Sequence, residues 1–159
     1  MSIFIDTGLF FAYYSLRDRY HWDAVAILAH TIERRWGAAL TSNFVVSEVL
    51  TFLKAKLPRP YVQRFVAALR VPTMPTLLHL EATTFEQALV VFQEEVDRVG
   101  LSFTDACTLY FVRDQAIATL ATFDARTFHD ARVELVGAGY WESLSPSEQM
   151  RIRRLVSGP

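Results

Sequence analysis

Short apolar segments alternate with helical segments along the whole chain, and this alternation constrains the fold most strongly. Five segments rich in β-forming residues are predicted as strands, namely 2–5, 38–41, 76–80, 117–122 and 133–136. Segments with helical spacing or capping signals fall around them, namely 7–15, 21–36, 44–57, 60–70, 82–98, 103–115 and 145–156. Strands separated by helices predict an α/β fold in three layers, with a parallel sheet between helices.

Size and composition suit one globular domain. The chain has 159 residues, of which 52% are hydrophobic, so it can bury a core without covalent cross-links. Its single cysteine, Cys107, excludes an internal disulfide framework and a cysteine-rich zinc site. The N-terminal residues lack the basic region of a signal peptide, and no apolar segment is long enough to span a bilayer. We expect a soluble, cytoplasmic protein.

The charge balance bears on nucleic-acid binding. The formal net charge is −1, and Lys54 and Lys56 are the only lysines. A protein that coats nucleic acid is usually basic, so this balance counts against that class. A nuclease is compatible with it, because bound metal ions supply positive charge locally.

Three aspartates fall at positions where open α/β sheets bind ligands. Asp6 follows the first predicted strand, Asp124 follows the fourth, and Asp105 lies in the first turn of the helix after Gly100. Ligands in such folds bind beyond the carboxyl ends of the strands. Each residue also has a structural explanation. Asp6 suits a helix N-cap, Asp105 offsets a helix dipole, and Asp124 favours a turn.

Glu48 is harder to explain structurally. Its helical neighbours include Phe44, Val45 and Phe52, which places a carboxylate on an apolar stripe. A buried, unpaired carboxylate is costly, so this residue needs a metal, a proton or a cationic partner. No lysine or arginine lies three or four residues away, which leaves an arginine distant in sequence as the alternative partner.

Four carboxylates that converge on one point would repel one another, and a divalent cation would relieve that repulsion. Oxygen ligands without a cysteine or histidine cluster favour hard ions such as Mg²⁺ or Mn²⁺. These ions commonly assist phosphoryl chemistry.

Four sequence motifs resemble those of one known family, the PIN-domain ribonucleases, and especially the toxin members of bacterial VapBC-type toxin–antitoxin pairs. The motifs are IFIDTG, which ends near Asp6, TSNFVVSE, which ends at Glu48, LSFTDA around Asp105, and ATFDARTF around Asp124. They occur in order between residue 1 and about residue 136. The resemblance implies a PIN-like fold with a central five-stranded parallel sheet.

The resemblance also implies a function. It indicates an Mg²⁺- or Mn²⁺-dependent endoribonuclease that hydrolyses single-stranded RNA and is held by a cognate antitoxin protein, with a homodimer as a further possibility. Asp6, Glu48 and Asp105 would bind the first metal, and Asp124 would support a second metal or the attacking water. Thr104 and Arg126 would support this site. We expect a nuclease domain over residues 1–140 and a helical extension of the same domain over 141–159.

Other functions are less compatible with these residues. A haloacid-dehalogenase-type phosphatase needs a second aspartate where Gly8 stands, and a receiver domain needs a late lysine that the chain lacks. The main alternative is a PIN-like scaffold that binds RNA or protein without catalysis. The aromatic residues at positions 10, 11, 13 and 14 favour core packing, with base stacking as the alternative.

Overall fold

A five-stranded, fully parallel sheet forms the centre of the molecule. The computed structural model describes residues 1–157. The strands are β1 (Ser2–Ile5), β2 (Ala38–Ser42), β3 (Thr76–Leu78), β4 (Thr119–Ala121) and β5 (Glu134–Val136). They lie in the order β3-β2-β1-β4-β5. The predicted α/β class and the predicted five-stranded parallel sheet are therefore confirmed.

Helices flank the sheet. They are α1 (Thr7–Tyr14), α2 (His21–Ile32), α3 (Asn43–Lys56), α4 (Arg59–Ala68), α5 (Ala82–Glu94), α6 (Phe103–Asp114), α7 (Tyr140–Ser143) and α8 (Pro146–Ser157). Parallel strands need crossover connections, and helices on both faces bury the central strand. Ile3, Phe4 and Ile5 of β1 are accordingly 0% exposed, and the ring of Phe4 stacks on Phe111 of α6.

Several predicted boundaries were wrong. The helix predicted over 21–36 ends at Ile32, and Arg34 takes a left-handed φ of 60°. Gly37, the predicted end of that helix, instead sits against the N-terminus, where a Cβ would collide with the Met1 carbonyl. The helix predicted to reach residue 98 ends at Glu94.

The C-terminal residues pack on α2 through a second, smaller core. Val25 of α2, Trp141 of α7 and Ile152 of α8 are buried together. The carboxylate of Asp23 accepts a 2.7 Å hydrogen bond from the Trp141 amide, which fixes the short helix α7 that the sequence pattern did not predict. His30 contacts Glu148 of α8 at 2.7 Å. Residues 158–159, at the end of the predicted extension, lie outside the described residues.

None of the helices within residues 1–157 combines the length and the apolar character that crossing a bilayer requires.

Candidate active site

Asp6 lies where the register of the sheet brings β1 beside β4. Ile5 pairs with Ala121, so the next residues on each strand, Asp6 and Thr122, are also neighbours. The Asp6 amide donates to the Ala121 carbonyl at 3.1 Å, and the Thr122 hydroxyl donates to Asp6 Oδ2 at 2.8 Å. Asp6 occupies the N-cap position of α1, but its side chain makes no capping hydrogen bond. The N-cap explanation therefore does not account for this carboxylate.

The carboxyl group of Asp6 is buried among other acids. Burial, together with the charges of Asp105 and Glu48, raises its pKa from 3.8 to about 7, although hydrogen bonds from Thr122 and the Thr7 amide oppose the rise. A group with this pKa resists ionisation unless a cation comes near. Asp6 thus has the electrostatic character expected of a metal ligand.

Asp105 has a structural role as well as a place near Asp6. It is the third residue of α6, and Ser102 is the N-cap. Oδ2 of Asp105 accepts from the Ser102 amide at 2.7 Å and from the Ser102 hydroxyl at 2.8 Å, while the Asp105 amide donates to the Ser102 hydroxyl. Burial raises the pKa of Asp105 despite these bonds, and Asp124 adds to the rise. This carboxylate therefore holds the start of the helix and faces the other acids.

Asp124 begins the turn that follows β4. Its Oδ1 accepts from the Thr127 amide at 3.2 Å, and its Oδ2 accepts from the Thr127 hydroxyl at 2.7 Å. Its own amide donates to the Thr122 hydroxyl at 3.0 Å. Thr122 is thus hydrogen-bonded to both Asp6 and Asp124, and it fixes the spacing between them.

Glu48 is half-buried rather than enclosed in the core. Phe52, four residues later on the same face of α3, is 39% exposed, so the apolar stripe faces the mouth of a cleft. Among residues 1–157, no arginine or lysine forms an ion pair with Glu48. The arginine partner considered from the sequence is therefore not found in the described chain, and Glu48 remains available to a ligand.

All four acids line a single cleft of about 400 Å³ at the carboxyl edge of the sheet. The other residues around it are Thr7, Gly8, Phe11, Phe52, Lys56, Ser102 and Phe123. Thr104 and Arg126, which the sequence assigned to this site, do not line it. Thr104 lies two residues after the capping residue Ser102, which lines the cleft, and Arg126 is exposed on the turn after Asp124.

The carboxylates share the cleft without closing on one point. Within the described chain, no three histidine, cysteine, aspartate or glutamate side chains lie close enough to enclose an ion by themselves. Asp105 is hydrogen-bonded to Ser102 and Asp124 to Thr127, so each carboxylate is held within its own turn. The donor set nevertheless suits Mg²⁺ or Mn²⁺, because it consists of carboxylate and hydroxyl oxygens around the buried Asp6.

Three residues of the site were missed by the sequence reasoning. They are Thr122, Ser102 and Lys56, which fell within or beside the predicted strand 117–122 and the predicted helices 103–115 and 44–57 without being assigned to a site. The pattern Thr-Phe-Asp after a strand gives a usable signal for Thr122, because a residue at the strand end faces the neighbouring strand end. Cys107 is buried, and burial raises its pKa to about 12, so it is no nucleophile.

Comparison with known proteins agrees with this geometry. The model of the PIN domain family matches residues 3–134. A VapC ribonuclease from Archaeoglobus fulgidus is 34% identical over 157 residues, which is 98% of this chain and 96% of that protein.

Solved structures share the fold. The toxin VapC20 from Mycobacterium tuberculosis, described as cleaving the sarcin–ricin loop, superposes with a TM-score of 0.64 and 26% identity over 80% of this chain and 93% of that one. VapBC2 from Rickettsia felis shares the fold, with a TM-score of 0.60 and 12% identity over 85% of this chain and 97% of that one. This chain belongs to the PIN-domain family, in its group of VapC ribonucleases.

Proposed function

We propose that this chain is a divalent-metal-dependent endoribonuclease that hydrolyses phosphodiester bonds of single-stranded RNA, with Asp6, Glu48, Asp105 and Asp124 as its catalytic and metal-binding residues. The observation that carries the proposal is the arrangement of these carboxylates, which come from four different elements and line one cleft. A fold gains no stability from gathering like charges around a buried aspartate, so a ligand best explains the arrangement.

The burial of each carboxylate suggests its role in catalysis. Asp6, Glu48 and Asp105 would hold the ion, since Asp6 is buried and the other two are half-buried around it. Asp124 is exposed, which suits it to orient the attacking water. When bound, Mg²⁺ or Mn²⁺ would lower the pKa of a water molecule and neutralise charge on the scissile phosphate. Thr122 would keep Asp6 and Asp124 in register.

The proposal is tested by Mn²⁺ titration, read as the midpoint of thermal unfolding, together with RNA cleavage in Mg²⁺ and in EDTA. A ligand that binds only the folded state raises its stability, so Mn²⁺ should raise the midpoint and EDTA should reverse the effect. Cleavage should require the metal. Metal-independent unfolding together with intact RNA would instead support the non-catalytic scaffold.

We further propose that the chain is the toxin of a toxin–antitoxin pair and acts in the cytoplasm, where it meets RNA and a small antitoxin from a neighbouring gene. VapC20, a relative above one-quarter identity, is described as a toxin. An apolar groove of about 490 Å³ offers a docking surface, with Tyr14 of α1, Leu28 of α2 and Met74 among its lining residues. Exposed apolar side chains border it, with Ile32 56% and Leu155 59% exposed.

Helix α1 lies between the groove and the acid-lined cleft. Phe10 faces the groove and Phe11, the next residue, faces the cleft. An amphipathic helix in the groove could therefore place an arginine near the carboxylates, since a guanidinium pairs well with carboxylates. The groove is lined by α1, α2, the residues after α4 and the end of α8.

Co-purification with the product of the neighbouring gene tests the partner. Ile32→Asp should lower the retained partner at least tenfold, because it places a charge in an apolar interface. Val99→Asp is the matched control, since Val99 is 98% exposed and lies outside the groove. Equal retention by both variants would place the partner elsewhere. A chain that is active and harmless when expressed alone would indicate a housekeeping nuclease.

A further inference from the structure

One face of α3 carries a carboxylate, an aromatic ring and an ammonium group in a row. Glu48, Phe52 and Lys56 are spaced by four residues, which places them on the same side of the helix, and all three line the acid-lined cleft. With a rise of about 1.5 Å per residue, the row is about 12 Å long. It leads from the acids outward to the rim of the cleft.

The outer end of this row forms a cationic aromatic lip, which consists of Phe11, Phe52 and Lys56. The rings of Phe11 and Phe52 meet edge to face, with centroids 6.3 Å apart and planes at 80°. The Lys56 ammonium lies 5.6 Å from the Phe11 centroid and 5.5 Å from that of Phe52. Phe52 is 39% exposed and Lys56 is exposed, so ring surface and charge face solvent.

Lys56 differs in charge from the acids around it. Among the residues that line the cleft it is the one cation, against four carboxylates. Within residues 1–157, no carboxylate lies within ion-pair distance of its ammonium. A polyanion that enters the cleft therefore meets repulsion from the acids and attraction from Lys56.

A second aromatic group, formed by Phe123, Tyr20 and Arg19, lies at the cleft, and both faces of its central Tyr20 ring are covered. Phe123 stacks on Tyr20 with centroids 4.5 Å apart and planes at 11°. The Arg19 guanidinium lies 4.4 Å from the Tyr20 centroid. At these distances Phe123 and Arg19 must cover opposite faces of Tyr20, so this stack braces the wall of the cleft. The lip around Phe52 has no stacked ring of this kind, and the group that lies over its rings is the ammonium of the exposed Lys56.

We propose that the cationic aromatic lip binds the nucleotide adjacent to the scissile phosphate, with its base stacked on the Phe52–Phe11 pair and its phosphate on Lys56. The inference rests on the proposed ribonuclease function and assigns its substrate-positioning residues. Stacking on an aromatic side chain requires an unpaired base, so the lip selects single strands over duplex RNA. Because it lies away from Asp6, Lys56 contacts a flanking phosphate and leaves the scissile one to the acids and their ion.

Binding of single-stranded RNA tests the lip directly. All variants carry Asp6→Asn to prevent cleavage, and the probes are a labelled single-stranded RNA 12-mer of random sequence and a ribose-phosphate 12-mer without bases. Phe52→Ala and Lys56→Ala are compared with Lys54→Ala, the matched control. Lys54 lies in the last turn of the same helix and does not line the cleft. Thermal unfolding verifies that each variant is folded.

The two lip variants should fail in different ways. Phe52→Ala should weaken binding of the RNA by roughly 5- to 100-fold and leave the baseless chain unaffected, because only bases stack. Phe52→Trp should restore binding. Lys56→Ala should weaken both probes and lower the slope of log affinity against log salt by about 0.7, the value for one lost phosphate contact on a single strand. Lys54→Ala should change neither probe.

Equal losses for Lys56→Ala and Lys54→Ala, or equal effects of Phe52→Ala on both probes, would overturn the assignment. If the lip variants retain less of the neighbouring gene product in co-purification but still bind the RNA probe, the lip belongs to the protein partner instead. RNA cleavage by the chain with Asp6 intact distinguishes a failure of the lip assignment from a failure of the ribonuclease function. If that chain cleaves RNA and the lip variants match the control, only the lip is wrong; if it neither binds nor cleaves RNA, the ribonuclease function fails as well.

Discussion

The hydroxyl of Thr122 donates a 2.8 Å hydrogen bond to Oδ2 of Asp6, across 116 residues of sequence. The same hydroxyl accepts the amide of Asp124 at 3.0 Å. Thr122 is itself buried, so both bonds form away from bulk water. A side chain that positions ligands in this way typically matters nearly as much as the ligands themselves.

Thr122→Val should reduce RNA cleavage by about 10- to 100-fold, because Asp6 loses the hydrogen bond that orients it. It should also destabilise the fold by about 1–3 kcal/mol, since a buried acceptor loses its donor. Urea unfolding and cleavage assays measure the two effects. Thr119→Val is the control, because Thr119 is buried on the same strand and lies outside the cleft. Wild-type cleavage by the Thr122 variant would refute a positioning role.

Asp6→Asn should abolish cleavage and alter how stability depends on pH. The pKa of Asp6 is about 7 in the folded, metal-free chain, whereas an unperturbed aspartate, as in the unfolded chain, has a pKa of 3.8. Between these values the folded state holds a proton that the unfolded state has lost, so stability falls as pH rises from about 4 to about 7. Asparagine does not ionise, so its stability relative to wild type should grow from pH 5 to pH 8.

The gain of the Asp6 variant should not exceed about 4 kcal/mol, the free energy that corresponds to the full pKa change. Urea unfolding in EDTA at both pH values provides the measurement. Other titrating groups occur in both proteins, so the difference isolates Asp6. A difference that stays constant with pH would show that Asp6 is ionised in the folded chain.

Asp105→Asn should also abolish cleavage, but it should stabilise the metal-free chain less than Asp6→Asn does. The carboxylate of Asp105 caps the start of α6 through Ser102, and loss of such a cap costs about 1 kcal/mol. Ser102→Ala is the control, since it removes the capping hydroxyl and keeps the carboxylate. It should lower stability by a similar amount while retaining most of the cleavage. Loss of cleavage in both variants would assign Asp105 a purely structural role.

The sequence predicted the parts of this molecule that depend on local patterns. β1 was predicted with its observed bounds, Ser2–Ile5, because an apolar segment closed by Asp6 reads as a buried strand. The parallel sheet followed from the alternation of strands and helices. The expectation that four acids meet at one edge followed from Asp6 and Asp124 ending their strands, and the structure places all four along one cleft. Their role as ligands stays a prediction.

Features that depend on tertiary contacts were not predicted. The bond from Thr122 to Asp6 requires the β1–β4 register, which no local pattern specifies. Helix α7 forms because Asp23, more than one hundred residues earlier, accepts the Trp141 amide. Glu48 was expected on a buried stripe, but a helical pattern does not distinguish a core face from the wall of a cleft.

Glu48→Gln provides the most direct test of a metal-dependent nuclease, because Glu48 has no structural role that the substitution would disturb. In the described chain its carboxylate forms no ion pair, and glutamine keeps its shape. The measurement is the rate of RNA cleavage over a Mn²⁺ titration for this variant and wild type. We predict an unchanged unfolding midpoint in EDTA, weaker Mn²⁺ dependence and cleavage at least 100-fold slower. Cleavage at the wild-type rate with the wild-type Mn²⁺ dependence would contradict the assignment of this cleft as the active site.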